Sequence, residues 1–177
     1  MKPQLLALAL ALPSACATPP ATGPAADEAL RGPAEVVREL YELVTFDAGA
    51  TPDWDAVRAL FVEEAVVVLR TGREEMTVFT LEGFVDDFVR FIEQYDVQRT
   101  GFRERVLELD GFAYRDIAHV RVRFDSHIPG SGREPGQGLD VFELVRRDGR
   151  WRIASIVNER PTLDAPIPAA LFRGVPR

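Results

Sequence analysis

Residues 138–158 read GLDVFELVRRDGRWRIASIVN, and they decide the fold class because they hold two apolar runs on either side of an Asp-Gly pair. The first run contains Val141, Phe142, Leu144 and Val145, and the second contains Trp151, Ile153, Ile156 and Val157. Apolar residues that alternate with polar ones are typical of β-strands, and Asp148-Gly149 is typical of the tight turn of a β-hairpin. The stretch therefore predicts two antiparallel strands.

The chain after residue 101 has no helical period and predicts a meander of long strands. These strands are predicted over residues 102–113, 117–127, 137–147 and 150–159. A stretch rich in Pro and Gly, residues 128–136, predicts the loop before the hairpin. The Pro-containing tail, residues 161–177, predicts irregular structure along the surface.

Three amphipathic helices are predicted before this sheet. The first begins at Pro33 and ends at Gly49, the second begins with Thr51 as its cap, and the third begins with Thr80 as its cap. Two short strands are predicted between the second and third helices, at residues 65–69 and 76–79. Helices followed by a sheet of about six strands predict an α+β domain, in which a curved antiparallel sheet wraps around the helices and leaves a cavity at one end.

The first sixteen residues, MKPQLLALALALPSAC, predict an export signal. Their apolar run from Leu5 to Leu12 is too short to span a membrane, which needs about 20 apolar residues. Cys16, the only cysteine, directly follows Ala15 and resembles the lipidated cysteine of a bacterial lipobox, although Pro13 stands where Leu is usual. Lipid attachment at Cys16 is therefore expected, with soluble secretion or a cysteine present by chance as the alternatives.

Residues 17–32 are rich in Ala, Pro, Thr and Gly and predict a flexible tether. The remaining residues, 33–160, are enough for one domain, and a single cysteine permits no internal disulfide. The formal net charge is −7 and no lysine follows Lys2, so nucleic acid is not an expected partner. Four arginines form the nearest approach to a basic patch and are interpreted as a solvated strand face: Arg103, Arg105, Arg121 and Arg123.

Three segments in this order resemble the nuclear transport factor 2-like superfamily, also called the SnoaL-like superfamily. They are the second helix PDWDAVRALF, the strand entry YRDIAHV and the final pair GLDVFELVRRDGRWRIASI. The resemblance covers roughly residues 33–160 and implies a cone-shaped, cystatin-like roll with an interior pocket, commonly dimeric through the outer face of its sheet. Members include steroid isomerases, polyketide cyclases, dehydratases, epoxide hydrolases and proteins that only bind ligands or partners, so the resemblance does not imply one reaction.

Asp140 and His119 are the candidate catalytic residues, because each can act as an acid or a base. Asp140 alternates in phase with Phe142, which allows it to face the cavity, and a strand-end surface position is the alternative. His119 alternates against the apolar residues of its strand, which favours the outer face and a role at the surface or in a dimer interface.

The candidate ligand-binding residues are Tyr41, Trp54, Tyr95 and Asn158, and core packing is the alternative for the three aromatic residues. His127 and Asp125 end one strand together but are too few ligands to predict a metal site. No dinucleotide fingerprint, phosphate loop, nucleophile elbow or zinc spacing is present, so neither a cofactor nor a metal is expected.

The sequence favours an exported, lipid-anchored domain that binds a small apolar molecule or a protein partner without evident catalysis. One alternative is a small isomerase, cyclase or dehydratase that uses a pocket Asp or His. The second alternative is a homodimerisation or assembly module whose interior is filled by its own aromatic side chains. The state of the interior and the polar side chains that reach it separate these hypotheses.

Overall fold

A computed structural model describes residues 24–172 of the chain. In chain order its elements are α1 Pro24–Val44, β1 Phe46–Asp47, α2 Trp54–Ala59, β2 Phe61–Arg70, β3 Met76–Thr80, α3 Leu81–Gln94, β4 Gly101–Tyr114, β5 Ile117–His127, β6 Gly136–Arg147 and β7 Arg150–Glu159. Short 3₁₀ helices follow α3 at Val97–Arg99 and end the described chain at Ala169–Phe172. The predicted export signal, Cys16, the first part of the predicted tether and residues 173–177 lie outside the described residues.

One sheet of seven strands forms the body of the domain, in the order β1-β4-β5-β6-β7-β2-β3. All neighbouring strands are antiparallel except β2 and β7, which are parallel. This arrangement confirms the predicted α+β class with a curved, mostly antiparallel sheet. The seventh strand, β1, was not predicted, because two residues are too few to carry a strand period.

The β6–β7 hairpin confirms the prediction made from residues 138–158. Arg147 pairs with Arg150, so the turn consists of two residues, Asp148 and Gly149. Their φ angles are 51° and 75°, and such positive values at both positions are the geometry that Asp-Gly adopts readily. The four long strands begin and end within one residue of their predicted bounds.

The third helix starts as predicted, since the Thr80 side chain accepts a hydrogen bond from the Gly83 N–H at 3.1 Å. The predicted cap of the second helix was wrong. Asp53, not Thr51, caps α2 by accepting a hydrogen bond from the Ala56 N–H at 3.0 Å. A carboxylate near the positive end of a helix is at least as good a cap as a hydroxyl, which explains the shift of two residues.

The first helix is longer at its start than the sequence predicted, because α1 begins at Pro24 and includes Pro33. Residues 24–32, assigned to the tether from their composition, are therefore helical. Leu30 packs against the core, and Gly32 lies so close to Trp151 that an added Cβ would come within 2.9 Å of its indole ring. Tertiary packing thus stabilises a helix that composition alone does not indicate.

The core lies between the inner face of the sheet and helices α1 and α3. Its fully buried side chains include Val37 of α1, Val120 of β5, Phe142 and Leu144 of β6, and Ile153 of β7. The inner face of β6 continues past Phe142 to Asp140, where the packing changes from apolar to polar. Within residues 24–172, no helix combines the length and the apolar character needed to cross a membrane.

Candidate functional site

Asp140 is the centre of a buried polar cluster at the end of the inner sheet face. Its side chain is only 8% exposed. The Tyr41 hydroxyl donates a hydrogen bond to Asp140 Oδ2 at 2.5 Å, and the Asn158 amide Nδ2 donates one to Asp140 Oδ1 at 2.6 Å. Both carboxylate oxygens are thus satisfied, as a buried carboxylate requires. We use the name Asp140 cluster for Tyr41, Asp140 and Asn158 together with the half-buried Glu104, whose carboxyl group interacts electrostatically with Asp140.

Strand register and the course of α1 bring these residues together. Asp140 and Asn158 are direct partners across β6 and β7, so their side chains point to the same face. Tyr41 comes from the last turns of α1, where the helix crosses this end of the sheet. Its ring also packs against Phe124 and Phe142, with centroids 5.6 and 6.3 Å away, and these contacts hold the hydroxyl in place.

Burial sets the protonation state of Asp140 and Tyr41. Desolvation raises the pKa of Asp140 to about 6, although the hydrogen bonds from Tyr41 and Asn158 and the positive charge of Arg160 act in the opposite direction. Burial and the neighbouring Asp140 charge raise the pKa of Tyr41 well above its usual value. At neutral pH the Asp140 carboxylate is therefore mostly ionised, while Tyr41 keeps its proton and donates a hydrogen bond to Asp140.

Glu104 contributes a second carboxyl group from the inner face of β4. Its backbone N–H donates to Thr45 Oγ1 at 2.9 Å, and the same hydroxyl donates to the Glu104 carbonyl at 3.1 Å, which fixes the strand against the end of α1. Its carboxyl group makes no side-chain hydrogen bond among the described residues. Desolvation and the Asp140 charge raise the pKa of Glu104 to about 8, so this carboxyl is mostly protonated at neutral pH.

A cleft of about 400 Å³ opens between α1 and β4 beside the cluster. Tyr41 and Glu104 are part of its lining, together with apolar side chains such as Val106 and Leu109. Asp140 is not in the lining and connects to the cleft through the Tyr41 hydroxyl. A molecule in the cleft would therefore meet one protonated carboxyl group and one tyrosine oxygen whose proton is directed at a carboxylate.

Comparison with known proteins supports the fold and no more. No protein-family model matches the chain, and no curated protein matches it. An NTF2-like protein of unknown function from Pseudomonas putida is 11% identical with a TM-score of 0.61, over 84% of this chain and 94% of the other. An NTF2-like protein with a cystatin-like fold from Novosphingobium aromaticivorans is 16% identical with a TM-score of 0.60, over 84% of this chain and 90% of the other.

This domain has the NTF2-like fold. A provisionally assigned scytalone dehydratase from Novosphingobium aromaticivorans is also similar, at 15% identity and a TM-score of 0.56 over 75% of this chain and 84% of that one. Identities this low establish shared architecture, and the chemistry of the NTF2-like domain has to be argued from its own residues.

The structure unites three of the residues that the sequence singled out and separates the other three. Tyr41, Asp140 and Asn158 lie together in the cluster. Trp54 packs edge-on against Phe88 at a centroid distance of 5.4 Å, and Tyr95 is 61% exposed at the end of α3. Neither of these two aromatic residues lines the cleft beside the cluster.

His119 lies on the outer face of the sheet, away from the cluster. Its Nδ1 is 2.7 Å from Glu143 Oε1, and its ring stacks on Phe112 at a centroid distance of 5.6 Å. The four arginines of the outer face each have a carboxylate partner: Asp47 for Arg103, Asp125 for Arg105, Asp110 for Arg121 and Glu108 for Arg123. These pairs reduce the positive potential of that face.

Glu104 is the cluster residue that the sequence reading missed. Glu104 alternates in phase with Phe102 and Val106, which are buried and half-buried. This shared phase is the sequence signal that could have placed Glu104 on the inner face. The signal is weakened because the pairing of β4 with β5 shifts between Val106 and Glu108, so residues beyond the shift have the opposite phase. Over residues 24–172, no three His, Cys, Asp or Glu side chains are grouped to hold a metal ion.

Proposed function

We propose that this NTF2-like domain binds a small molecule in the cleft between α1 and β4 and moves protons on it, as an isomerase, cyclase or dehydratase does. The observation that carries the proposal is a pair of carboxyl groups in one cluster whose pKa values differ. The pKa of Asp140 is about 6 and that of Glu104 is about 8. At pH 7 one group is thus a base and the other an acid, which is the pairing that proton-transfer catalysis needs.

In this proposal each member of the cluster has a role. Glu104 lines the cleft and donates its proton to an oxygen of the bound molecule. Tyr41 takes a proton from a carbon of that molecule and passes its own hydroxyl proton to Asp140 Oδ2. Asn158 holds the other Asp140 oxygen and keeps the carboxylate oriented. One proton leaves the molecule and one enters it, so the step is balanced without a further reactant.

The cleft lining indicates the class of ligand. Val106, Leu107 and Leu109 offer an apolar surface, and Glu104 and Tyr41 offer hydrogen bonds. The lining also contains four charged residues: Arg38, Glu42, Arg105 and Glu108. This combination fits a small molecule with an apolar part and a carbonyl or hydroxyl oxygen. The role of the oxygen is to receive the Glu104 proton.

Solvent deuterium exchange tests this proposal directly. Small carbonyl and hydroxyl compounds are first screened for binding by protein NMR, and compounds that shift the Tyr41 and Glu104 signals are then incubated with the protein in D₂O. We expect deuterium to enter the ligand at the carbon next to its oxygen-bearing carbon with the wild-type chain. Asp140→Asn and Glu104→Gln are each expected to slow this exchange by about 10²-fold or more, since one positioned acid or base contributes about that factor.

The matched control is Glu42→Gln, which alters a carboxylate at the rim of the same cleft and outside the cluster. It should leave the exchange rate within about twofold of wild type, because rim charges at an exposed surface interact weakly. Ligands that bind in the cleft but show no exchange would contradict proton transfer and favour binding alone. Equal exchange in wild type and Asp140→Asn would exclude the assigned base.

We also propose that the protein is exported and attached to a membrane through Cys16, as the signal-like first residues and the tether composition indicate. A further part of the proposal is a homodimer formed through the outer face of the sheet. The exposed apolar side chains Phe112, Tyr114 and Ile117 support it, because they lie together on β4 and β5 at the hairpin connecting these strands.

A further inference from the structure

A second cleft, of about 420 Å³, lies at the end of the sheet where β6 turns into β7. It is separate from the Asp140 cluster and shares no lining residue with the cleft beside that cluster. The residues in its lining are Phe61, Val62, Arg147, Asp148, Arg150 and Arg152. Three guanidinium groups, against the Asp148 carboxylate in the lining and the Glu64 carboxylate that contacts Arg147, leave this cleft locally positive in a chain whose formal net charge is −7.

The guanidinium groups of this cleft are available to bind a ligand. Arg150 and Arg152 make no ion pair and no side-chain hydrogen bond among the described residues, in contrast to the paired arginines of β4 and β5. Arg147 contacts Glu64 at 3.1 Å, but both side chains are more than half exposed, so this pair contributes little and can be exchanged. Free arginines at a concave site are typical of binding to phosphate or carboxylate groups.

The course of α1 places the start of the described chain at this same end. Gly32 lies against Trp151, which pairs with Arg146 next to the hairpin turn, whereas Tyr41 reaches Asp140 nearer the other end of β6. The helix therefore enters from the hairpin end. Cys16 precedes Pro24 by eight residues, a length of chain that spans at most about 29 Å when fully extended.

We propose that the arginine cleft of Arg147, Arg150 and Arg152 binds the phosphate groups of anionic phospholipids, so that the hairpin end of the domain faces the membrane. This inference goes beyond the proposed chemistry at Asp140 and uses the proposed anchor at Cys16 for its orientation. A chain anchored at Cys16 holds Pro24 within about 29 Å of the headgroups, so the hairpin end is the end of the domain that is held toward the membrane. Near the headgroups, local positive charge matters more than the net charge of the protein. The cleft beside the Asp140 cluster then stays clear of the membrane.

Vesicle binding tests the proposal on the full chain with Cys16→Ser, which cannot carry an acyl chain at that position. Vesicles of phosphatidylcholine alone are compared with vesicles that contain an increasing fraction of phosphatidylglycerol, at low ionic strength. We expect binding to rise with the anionic fraction and to fall with salt. Arg150→Gln together with Arg152→Gln should weaken this binding about 25-fold, since each arginine near an anionic surface contributes about a fivefold factor.

The matched control is Arg73→Gln with Arg133→Gln, which removes the same charge from two exposed arginines that make no ion pair among the described residues. Arg73 lies in the β2–β3 turn and Arg133 in the β5–β6 loop, both at the end of the sheet opposite the β6–β7 hairpin turn. Equal losses in both double variants, or equal binding to neutral vesicles, would overturn the proposal. Inorganic phosphate is the second probe, compared with chloride at equal ionic strength: if phosphate binds at Arg150 and Arg152 in the absence of vesicles while anionic vesicles do not bind, a free anion and not a membrane is the occupant. If the wild-type chain fractionates with membranes but the Cys16→Ser variant does not bind anionic vesicles, the anchor proposal stands and the arginine-cleft proposal is excluded.

Discussion

The Tyr41 hydroxyl lies 2.5 Å from Asp140 Oδ2 and joins two residues that are 99 positions apart in the chain. This hydrogen bond connects α1 to β6, the central strand of the sheet, and places a tyrosine oxygen between the cleft and a buried carboxylate. It is also the contact through which Asp140, which has no access of its own to the cleft lining, can act on a bound molecule.

Tyr41→Phe is expected to lower the free energy of unfolding by about 1 to 3 kcal/mol, because it leaves one buried carboxylate oxygen without a donor. It should also raise the pKa of Asp140 above about 6, since the Tyr41 hydrogen bond lowers that pKa in the wild type. Urea unfolding and NMR titration of the Asp140 side chain measure the two effects. Tyr95→Phe, at an exposed position, serves as the control and should change neither quantity.

Glu104→Gln should change how stability depends on pH. The pKa of Glu104 is raised from 4.5 to about 8 on folding, so the folded chain holds this proton more tightly than the unfolded chain. The resulting stabilisation is complete below pH 4.5 and is lost as the pH rises to about 8. Gln cannot ionise, so the stability of Glu104→Gln relative to wild type should rise across this window, and the full difference between the two pKa values corresponds to about 5 kcal/mol.

Unfolding curves at several pH values between about 5 and 9 give this difference. Asp140 contributes a change of the same sign over a lower window, because its pKa is raised from 3.8 to about 6. Glu104→Gln removes only the upper part of the pH dependence. A difference between variant and wild type that stays constant with pH would show that Glu104 titrates normally.

Gly138→Ala should disturb the cluster without touching any of its polar atoms. A Cβ at Gly138 would lie 2.3 Å from Phe124 Cζ, so the Phe124 ring must move, and that ring packs against Tyr41. We expect a loss of about 1 to 3 kcal/mol in the free energy of unfolding from this overpacking. At Gly136 the nearest atom to an added Cβ is 3.9 Å away, which makes Gly136→Ala the matched control. Similar effects at both glycines would argue against the Phe124 contact as the cause.

The long strands were predictable from sequence because their apolar residues alternate and a tight turn closes the final hairpin. The same alternation placed Asp140 and Asn158 on one face. The role of Tyr41 was not predictable, since it depends on where α1 crosses the sheet, and that contact is encoded by no local pattern. Glu104 was missed because the irregularity of β4 between Val106 and Glu108 reverses the phase of the residues that follow.

The outer sheet face gives a prediction about assembly. Ile117 is 55% exposed and lies beside Phe112 and Tyr114, so Ile117→Arg should weaken a homodimer formed there while leaving the inner-face core intact. Analytical ultracentrifugation of the wild type is expected to show a dimer that dissociates at least tenfold more readily in the variant, since placing a charge in an apolar contact costs more than about 1.4 kcal/mol. A monomeric wild type would contradict the proposed dimer.

Cys16→Ser tests the proposed anchor. Acyl chains on Cys16 would hold the protein at a membrane by about 0.8 kcal/mol for each buried methylene, and two or more chains make the attachment stable. Removal of the thiol should therefore shift the protein from the membrane fraction to the soluble fraction. Ser is close in size to Cys and lies outside the described domain, so the fold should not change. Fractionation in high salt separates this effect from the weaker electrostatic contact proposed for the arginine cleft, because only the contact between charges is screened. A Ser variant that remains equally membrane-bound in high salt would exclude Cys16 as the point of attachment.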